Sequence, residues 1–253
     1  MKKLVLVLVL ACGPAWTQTV YSNLDDSNAI DMGGTSTGWG WCTTCAGGLP
    51  EAEAMAIINT ADNVTTPSWD GASREFYITG PAYANGLWWY KVGPNDAASH
   101  FTFSFWVQFD SGSVNAQAME FDAFQFVGTT KYTFGTQCNY VEAVWDVWNE
   151  GAGSWERTRV PCRKFQPGEW YHLTMTFHRT PDLNEHYDSL SIVQYNILKR
   201  IAGSQNYALN LTYPSGPLPT GWTENMGVQF QMDIGPRGTE MTEWVDVVSL
   251  TTF

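Results

Sequence analysis

The sequence predicts an all-β protein built as a two-sheet antiparallel β-sandwich, and three observations carry that prediction. Short segments of alternating apolar and polar residues recur along the chain, separated by turn residues such as Asn85-Gly86, Ser111-Gly112-Ser113 and Pro167-Gly168-Glu169. No long amphipathic helical period interrupts them. Phe, Trp and Tyr supply 15% of the residues and 23 residues are Gly, a composition suited to pleated, half-buried strands joined by tight turns.

The start of the chain reads as an address. Met1-Lys2-Lys3 followed by the apolar run Leu4 to Ala11 has the form of a secretory signal peptide and is too short to span a bilayer. Residues 1–17 are assigned to it, with a small residue, Ala15, suited to cleavage, and 18–253 to a single sandwich domain. Val9-Leu10-Ala11-Cys12 also has the form of a loose lipobox, so a lipid anchor at Cys12 is the alternative to plain export. Either way the protein is expected outside the cytoplasm, secreted or in the periplasm or cell envelope.

Val20 to about Gly48 is rich in loop residues and is read as an N-terminal strand and a long loop, followed by a helical turn or two over Pro50 to Ile58. Arg74 to Thr79 and Leu87 to Val92 read as strands; in the second, Trp88 and Trp89 must face opposite ways, and Trp88 is the one nominated for a cleft. His100 to Phe109 alternates cleanly, with Phe101, Phe103, Phe105, Val107 and Phe109 on a core face and Thr102, Ser104, Trp106 and Gln108 on the other. The loop after it is short enough for an antiparallel hairpin into Ala118 to Val127. Further strands are read at Lys131–Asn139, Val141–Trp148, Trp155–Arg159, Trp170–His178, Ser189–Leu198, Val228–Asp233 and Trp244–Thr251, with a long loop over Tyr213–Trp222. Trp170 to His178 buries Tyr171, Leu173, Met175 and Phe177.

The chemistry concentrates in Ala118-Met119-Glu120-Phe121-Asp122-Ala123-Phe124-Gln125. Glu120 and Asp122 share one strand face about 7 Å apart, so one should hold a proton near neutral pH or have a hydrogen-bonding partner. A bulge at Ala123-Phe124 would bring Gln125 onto the same face. This stretch resembles the Glu-x-Asp-x-x-Glu catalytic strand of the concanavalin A-like glucanases. The resemblance implies a concanavalin A-like jelly roll, a polysaccharide or oligosaccharide partner on its concave face, Glu120 as nucleophile and Asp122 as its tuner. It also puts Gln125 where the acid/base belongs, and an amide cannot do that work. Hence two readings stay open: a carbohydrate-binding protein, or a glycoside hydrolase acting on β-glucan with Glu120 as nucleophile and another acid, Asp146 or Glu142, filling in. Trp88, Trp106, Trp145, Trp148 and Gln108 are the candidate sugar-binding residues. The Cys-Ala-Gly-Gly, Leu-Trp-Trp, Gly-Thr-Gln-Cys and Trp-x-His-Leu segments further resemble those of secreted proteins of acidobacterial type.

Of the five cysteines, Cys42, Cys45, Cys138 and Cys162 remain after the leader, an even count that reads as two disulfides in an exported protein. Four cysteines permit three connectivities, of which Cys42–Cys45 with Cys138–Cys162 is expected. The formal net charge of −12, without a Lys/Arg cluster, argues against nucleic acid. There is no P-loop, dinucleotide glycine fingerprint, zinc-protease motif or nucleophile elbow, and no cofactor is expected. A structural calcium ion, with Asp31, Asp70, Asp233 and Asp246 as conceivable ligands, is an implication of the resemblance; a monomer is expected.

Overall fold

The computed structural model describes residues 18–31 and 37–253. Residues 1–17, where a secretory leader and the lipid-anchor residue Cys12 are expected, and the Gly33-Gly34 pair lie outside the described residues. Numbered along the chain, the strands form two sheets. The eight-stranded sheet runs β14 (Ile201–Pro214), β13 (Asn184–Tyr195), β12 (Trp170–Arg179), β6 (His100–Phe109), β17 (Thr239–Thr252), β4 (Ser73–Gly80) and β3 (Ile57–Val64), with β1 (Thr19–Tyr21) also on β17. The nine-stranded sheet runs β11 (Ser154–Pro161), β10 (Val144–Asn149), β9 (Thr136–Asn139), β7 (Ala116–Val127), β16 (Asn225–Ile234), β5 (Asn85–Lys91) and β2 (Gly38–Cys42). Beside β7 lies β8 (Thr130–Phe134), which carries the two-residue β15 (Gly216–Pro217). Pairing within both sheets is antiparallel.

The period-two pattern decides which face packs. Phe101, Phe103, Phe105, Val107 and Phe109 of β6 and Tyr171, Leu173, Met175 and Phe177 of β12 are buried on the inner face of the first sheet, as their alternation requires. From the second sheet, Met119 and Phe121 of β7, Val228, Phe230 and Met232 of β16 and Trp88 of β5 meet them. Phe230 is central: its ring lies 5.1 to 6.3 Å from those of Trp39, Phe76, Phe103, Phe105 and Phe121.

Three expectations change, and one strand was not anticipated. The loop after β6 makes no hairpin: a 3-10 turn, Gly112–Asn115, carries the chain from one sheet to the other, so β6 and β7 belong to different sheets. The single strand read over 131–139 is two, β8 and β9, parted at Gly135. The helical turn is only Pro50–Glu53 (α1), because the branched Ile57 and Ile58 already belong to β3. Residues 201–214 form the long edge strand β14, whose Tyr207, Leu209, Leu211 and Tyr213 alternate inward against the core.

Both disulfides pair as expected, Cys42 with Cys45 and Cys138 with Cys162. The second ties the end of β9 to the segment after β11 across 24 residues. Replacing both of its cysteines by alanine should lower stability by about 3 kcal/mol, since the unfolded chain regains the closed loop's entropy. A denaturant titration checks this, and an unchanged midpoint at unchanged slope would contradict it.

Candidate functional site

Glu120 and Asp122 stand together on the outer face of the nine-stranded sheet, at positions where the alternation of β7 puts them opposite the inner Met119 and Phe121. Register fills in their neighbours. One row across the sheet reads Leu87, Gln231, Glu120, Gln137, Asp146, Arg157; the next begins Gly40, Trp89, Gln229, Asp122. Acids and amides alternate along the first row, which lets each carboxylate be met by side-chain N–H donors.

The amides do meet them. Gln231 Nε2 donates to Glu120 Oε1 at 2.8 Å, to Asp233 Oδ1 at 2.9 Å and to the Ala46 carbonyl at 3.0 Å. Asp122 accepts from the Thr136 N–H at 2.9 Å and from Gln229 Nε2. Asp146 Oδ2 accepts from Gln137 Nε2 at 3.0 Å and Asn139 Nδ2 at 2.9 Å, while its Oδ1 has no partner among the described residues. Glu120 is 5% and Asp122 2% exposed. Burial, then the charges of Asp233 and Asp122, pushes the Glu120 carboxyl well above its usual value. Burial also raises Asp122 to about 7, against the Gln229 and Thr136 hydrogen bonds, and Asp233 to about 6. A side-chain hydrogen bond between Glu120 and Asp233 raises the first and lowers the second, against the burial that raises both. The hydrogen-bonding partners expected from the spacing of Glu120 and Asp122 are thus present, and burial favours the protonated form of Glu120.

Beside these acids lies a cleft of about 480 Å³. Trp89, Phe124, Phe126 and Trp222 supply its aromatic lining, with Leu87, Lys91, Gln229 and the Cys42–Cys45 disulfide around them. Phe124 and Phe126 continue the parity of Glu120 and Asp122. Trp89 is held at its edge, where Nε1 donates to Asp31 Oδ2 at 3.0 Å, and Lys91 Nζ pairs with the same carboxylate at 2.9 Å. Its ring lies so close to Gly40 that a Cβ there would fall 2.4 Å from two ring carbons, which explains a glycine at that position. Trp222 is 52% exposed, at the end of the long loop before β16, with its ring 5.1 Å from Phe126.

The other candidate residues fall elsewhere. Gln125 is not on the carboxylate face: β7 pairs with β16 without interruption from Phe126 to Ala118, so there is no bulge at Ala123-Phe124 and Gln125 points inward. There it is fully buried, with Nε2 donating to the carbonyls of Asn95 at 2.7 Å and Ala98 at 3.1 Å. Trp88 and Trp145 are core residues on the inner face. Trp106 and Gln108 stand on the other sheet, where Trp106 stacks on Trp69 at 3.5 Å and on His172 at 4.7 Å, and Gln108 donates to the Gly168 carbonyl at 3.0 Å. Trp148 alone of the nominated tryptophans shares the acids' face, beyond Gly135 from Asp122, with Nε1 donating to Glu150 at 2.9 Å. Glu142 is a surface residue paired with Arg157 at 2.8 Å. The aspartates weighed for calcium stand in three places: Asp31 by Lys91, Asp233 by Glu120, and Asp246 receiving the backbone N–H groups of Trp69 and Asp70.

Sequence reasoning did not select Trp89, Phe124, Phe126 or Trp222 for the site, whereas the alternation of Gln229, Gln231 and Asp233 did offer that strand's polar groups to it. A strict period of two carried forward from Glu120 would have found both phenylalanines.

The two stacked sheets and their connections define the class of architecture, a jelly roll of the concanavalin A-like type. Solved structures with the same fold include the marine PL-14 alginate lyase from Aplysia kurodai, with a TM-score of 0.51 at 8% identity over 78% of this chain and 87% of that one. A cellulose-induced protein, Cip1, gives 0.50 at 11% identity over 91% and 96%. A protein of unknown function from Shewanella oneidensis gives 0.50 at 12% identity over 94% and 87%. No family model and no curated protein matches the sequence. Among the described residues no helix is long and apolar enough to cross a membrane.

Proposed function

We propose that the protein is exported and binds a neutral polysaccharide in the cleft between Trp89, Phe124, Phe126 and Trp222. The observation that carries this reading is that aromatic lining, flanked by the amide of Gln229 and the ammonium of Lys91, on the outer face of a jelly-roll sheet. Flat apolar rings with a few placed polar groups suit the faces and hydroxyls of sugar rings. An acidic protein at formal net charge −12 repels polyanions, which favours uncharged glucans, xylans or mannans over alginate. The two disulfides suit an oxidising compartment. In this reading Glu120, Asp122 and Asp233 are the buried frame behind the cleft, since each is satisfied by amides and Glu120 lies under the Ala46 carbonyl through Gln231.

One observation favours hydrolysis instead. Burial pushes the Glu120 carboxyl upward, the direction a general acid needs, and Asp146 stands in the same row two strands away, roughly 10 Å between Cα atoms, with an unpartnered oxygen among the described residues. Incubating the protein with a panel of β-glucans, xylans and mannans separates the two. Retention on a polymer without release of soluble sugar, unchanged in Glu120→Gln, is the expected result. Sugar release that disappears in Glu120→Gln would replace binding by hydrolysis, and neither retention nor release on any polymer would remove both readings.

A further inference from the structure

The outer face of the eight-stranded sheet, on the far side of the sandwich from the cleft, gathers three of the chain's four histidines into one row. His100 of β6 is in register with His178 of β12, His178 with His186 of β13, and His186 with Thr212 of β14. The rings of His100 and His178 stack at 5.1 Å, and those of His178 and His186 lie 4.5 Å apart. Next to the row stands Asp188, at a break in the ladder. Thr176 pairs with Ser189 and Phe177 with Tyr187, so Asp188 is the extra residue of a bulge, and the register also shifts there on the β14 side. Bulges re-aim side chains, and this one turns a carboxylate onto two imidazoles. His178 Nδ1 is 3.0 Å from both Asp188 oxygens, His186 Nε2 is 3.7 Å from Oδ1, and the three donor atoms lie within 4.8 Å of one another.

We propose that His178 Nδ1, His186 Nε2 and an oxygen of Asp188 bind a divalent ion of the zinc class, with water as the fourth ligand. A tetrahedral zinc site with bonds of about 2.0–2.1 Å sets its donors about 3.3 Å apart, and the separations of 3.0 and 3.7 Å from Asp188 Oδ1 to the two imidazoles lie on either side of that value. Two imidazoles with one carboxylate match zinc, cobalt or nickel better than calcium, which takes more oxygen ligands. The other ring nitrogen of His186 meets Thr212 Oγ1 at 2.6 Å, the outer contact that orients a metal-binding histidine and presents Nε2 to the ion. An open groove of about 390 Å³ bounded by Asp188, His100, Thr176 and Phe253 admits the water. On binding, the ion takes the place of the proton between His178 Nδ1 and Asp188: the neutral imidazole carries its one proton on Nε2 instead, and an imidazolium releases one proton to solvent.

The test is calorimetric titration of the untagged protein with Zn²⁺ alone, together with the visible absorption of Co²⁺ as a geometric probe. The expected result is uptake of one equivalent with a tetrahedral cobalt band. His178→Gln, His186→Gln and Asp188→Asn should each abolish both signals, and Thr212→Val should weaken binding about tenfold. His172→Gln, off the row, should leave both intact. Thermal unfolding of each metal-free variant at the wild-type midpoint shows that the loss is local, and the three ligand variants give three independent chances of a folded protein. Absence of saturable uptake by the wild type, or uptake that survives in folded His186→Gln and Asp188→Asn, overturns the proposal.

Discussion

Raising the pH from 5 to 8 is expected to destabilise the folded protein by at least roughly 4 kcal/mol, a fall of about 10 °C in its unfolding midpoint. The cause is a set of acids that folding buries with too few donors. Burial raises Asp25 and Asp122 to about 7, Asp233 to about 6 and Glu185 to about 9, and it pushes Glu120 and Glu243 well above the carboxylate range. In the unfolded chain each loses its proton near pH 4, whereas the folded chain holds it longer. Between those two values the native state binds more protons, so stability is fully present below about pH 4 and lost as pH rises through the folded pKa. From pH 5 upward Asp122 and Asp25 each span about two units, or about 3 kcal/mol apiece, so the pair alone exceeds the stated minimum. His100, His172 and His186, lowered first of all by burial, act with the opposite sign, but their gain is complete once pH passes about 6.5. Urea unfolding at several pH values reads the effect; stability that is flat or rising up to pH 8 would refute it.

Glu243 isolates the cause. It is fully buried on the inner face of β17 between Met241 and Val245, and neither carboxyl oxygen has a hydrogen-bond partner among the described residues. Glu243→Gln keeps its shape and removes its proton equilibrium, so the pH slope should flatten by up to about 1.4 kcal/mol per unit.

The second large effect separates two adjacent tryptophans. Trp88→Ala should cost about 3 to 5 kcal/mol of stability, because that side chain is fully buried, stacks on Phe76 at 5.1 Å and donates to the Asn59 carbonyl at 3.2 Å. Trp89→Ala should cost only about 1 kcal/mol, mainly the hydrogen bond to Asp31, yet weaken polysaccharide retention at least about tenfold. Affinity electrophoresis in glucan gels and thermal unfolding measure the two quantities on the same variants. Retention by Trp89→Ala equal to wild type would show that sugar does not use this ring.

How much of this the sequence discloses follows from the range of the forces involved. Alternation is local, so the inner faces of β6, β7 and β12 were legible, as was the shared face of Glu120 and Asp122. Whether a short loop turns back in its own sheet or crosses to the next is decided by packing at a distance, and Ser111-Gly112-Ser113 suits either. Reading it as a hairpin brought Trp106 and Gln108 beside the acids, when they belong to the other sheet. The place of Gln125 was a different matter: a bulge leaves no mark in so short a segment, and here the uninterrupted pairing with β16 keeps the parity simple. Trp88 and Trp89 are equivalent to periodicity, and only the position of Phe230 and Phe76 fixes which of them is inside. The convergence of His178, His186 and Asp188 depends on register across two strands, which the spacing His186-x-Asp188 hints at without supplying the partner.

The irregularity at Asp188 also acts on the rim of the molecule. β14 is the last strand of its sheet, 14 residues long, and a straight rim of that length would be a template on which another chain could add itself. Its ladder with β13 changes register twice, between Tyr187 and Ser189 and between Gln194 and Tyr195, and Asn210 adopts a left-handed backbone at φ 51°. Free N–H and C=O groups along β14 therefore do not fall on one regular spacing. An incoming strand would find its hydrogen bonds out of step after a few residues, so the kink that aims Asp188 also guards the protein against edge-to-edge polymerisation.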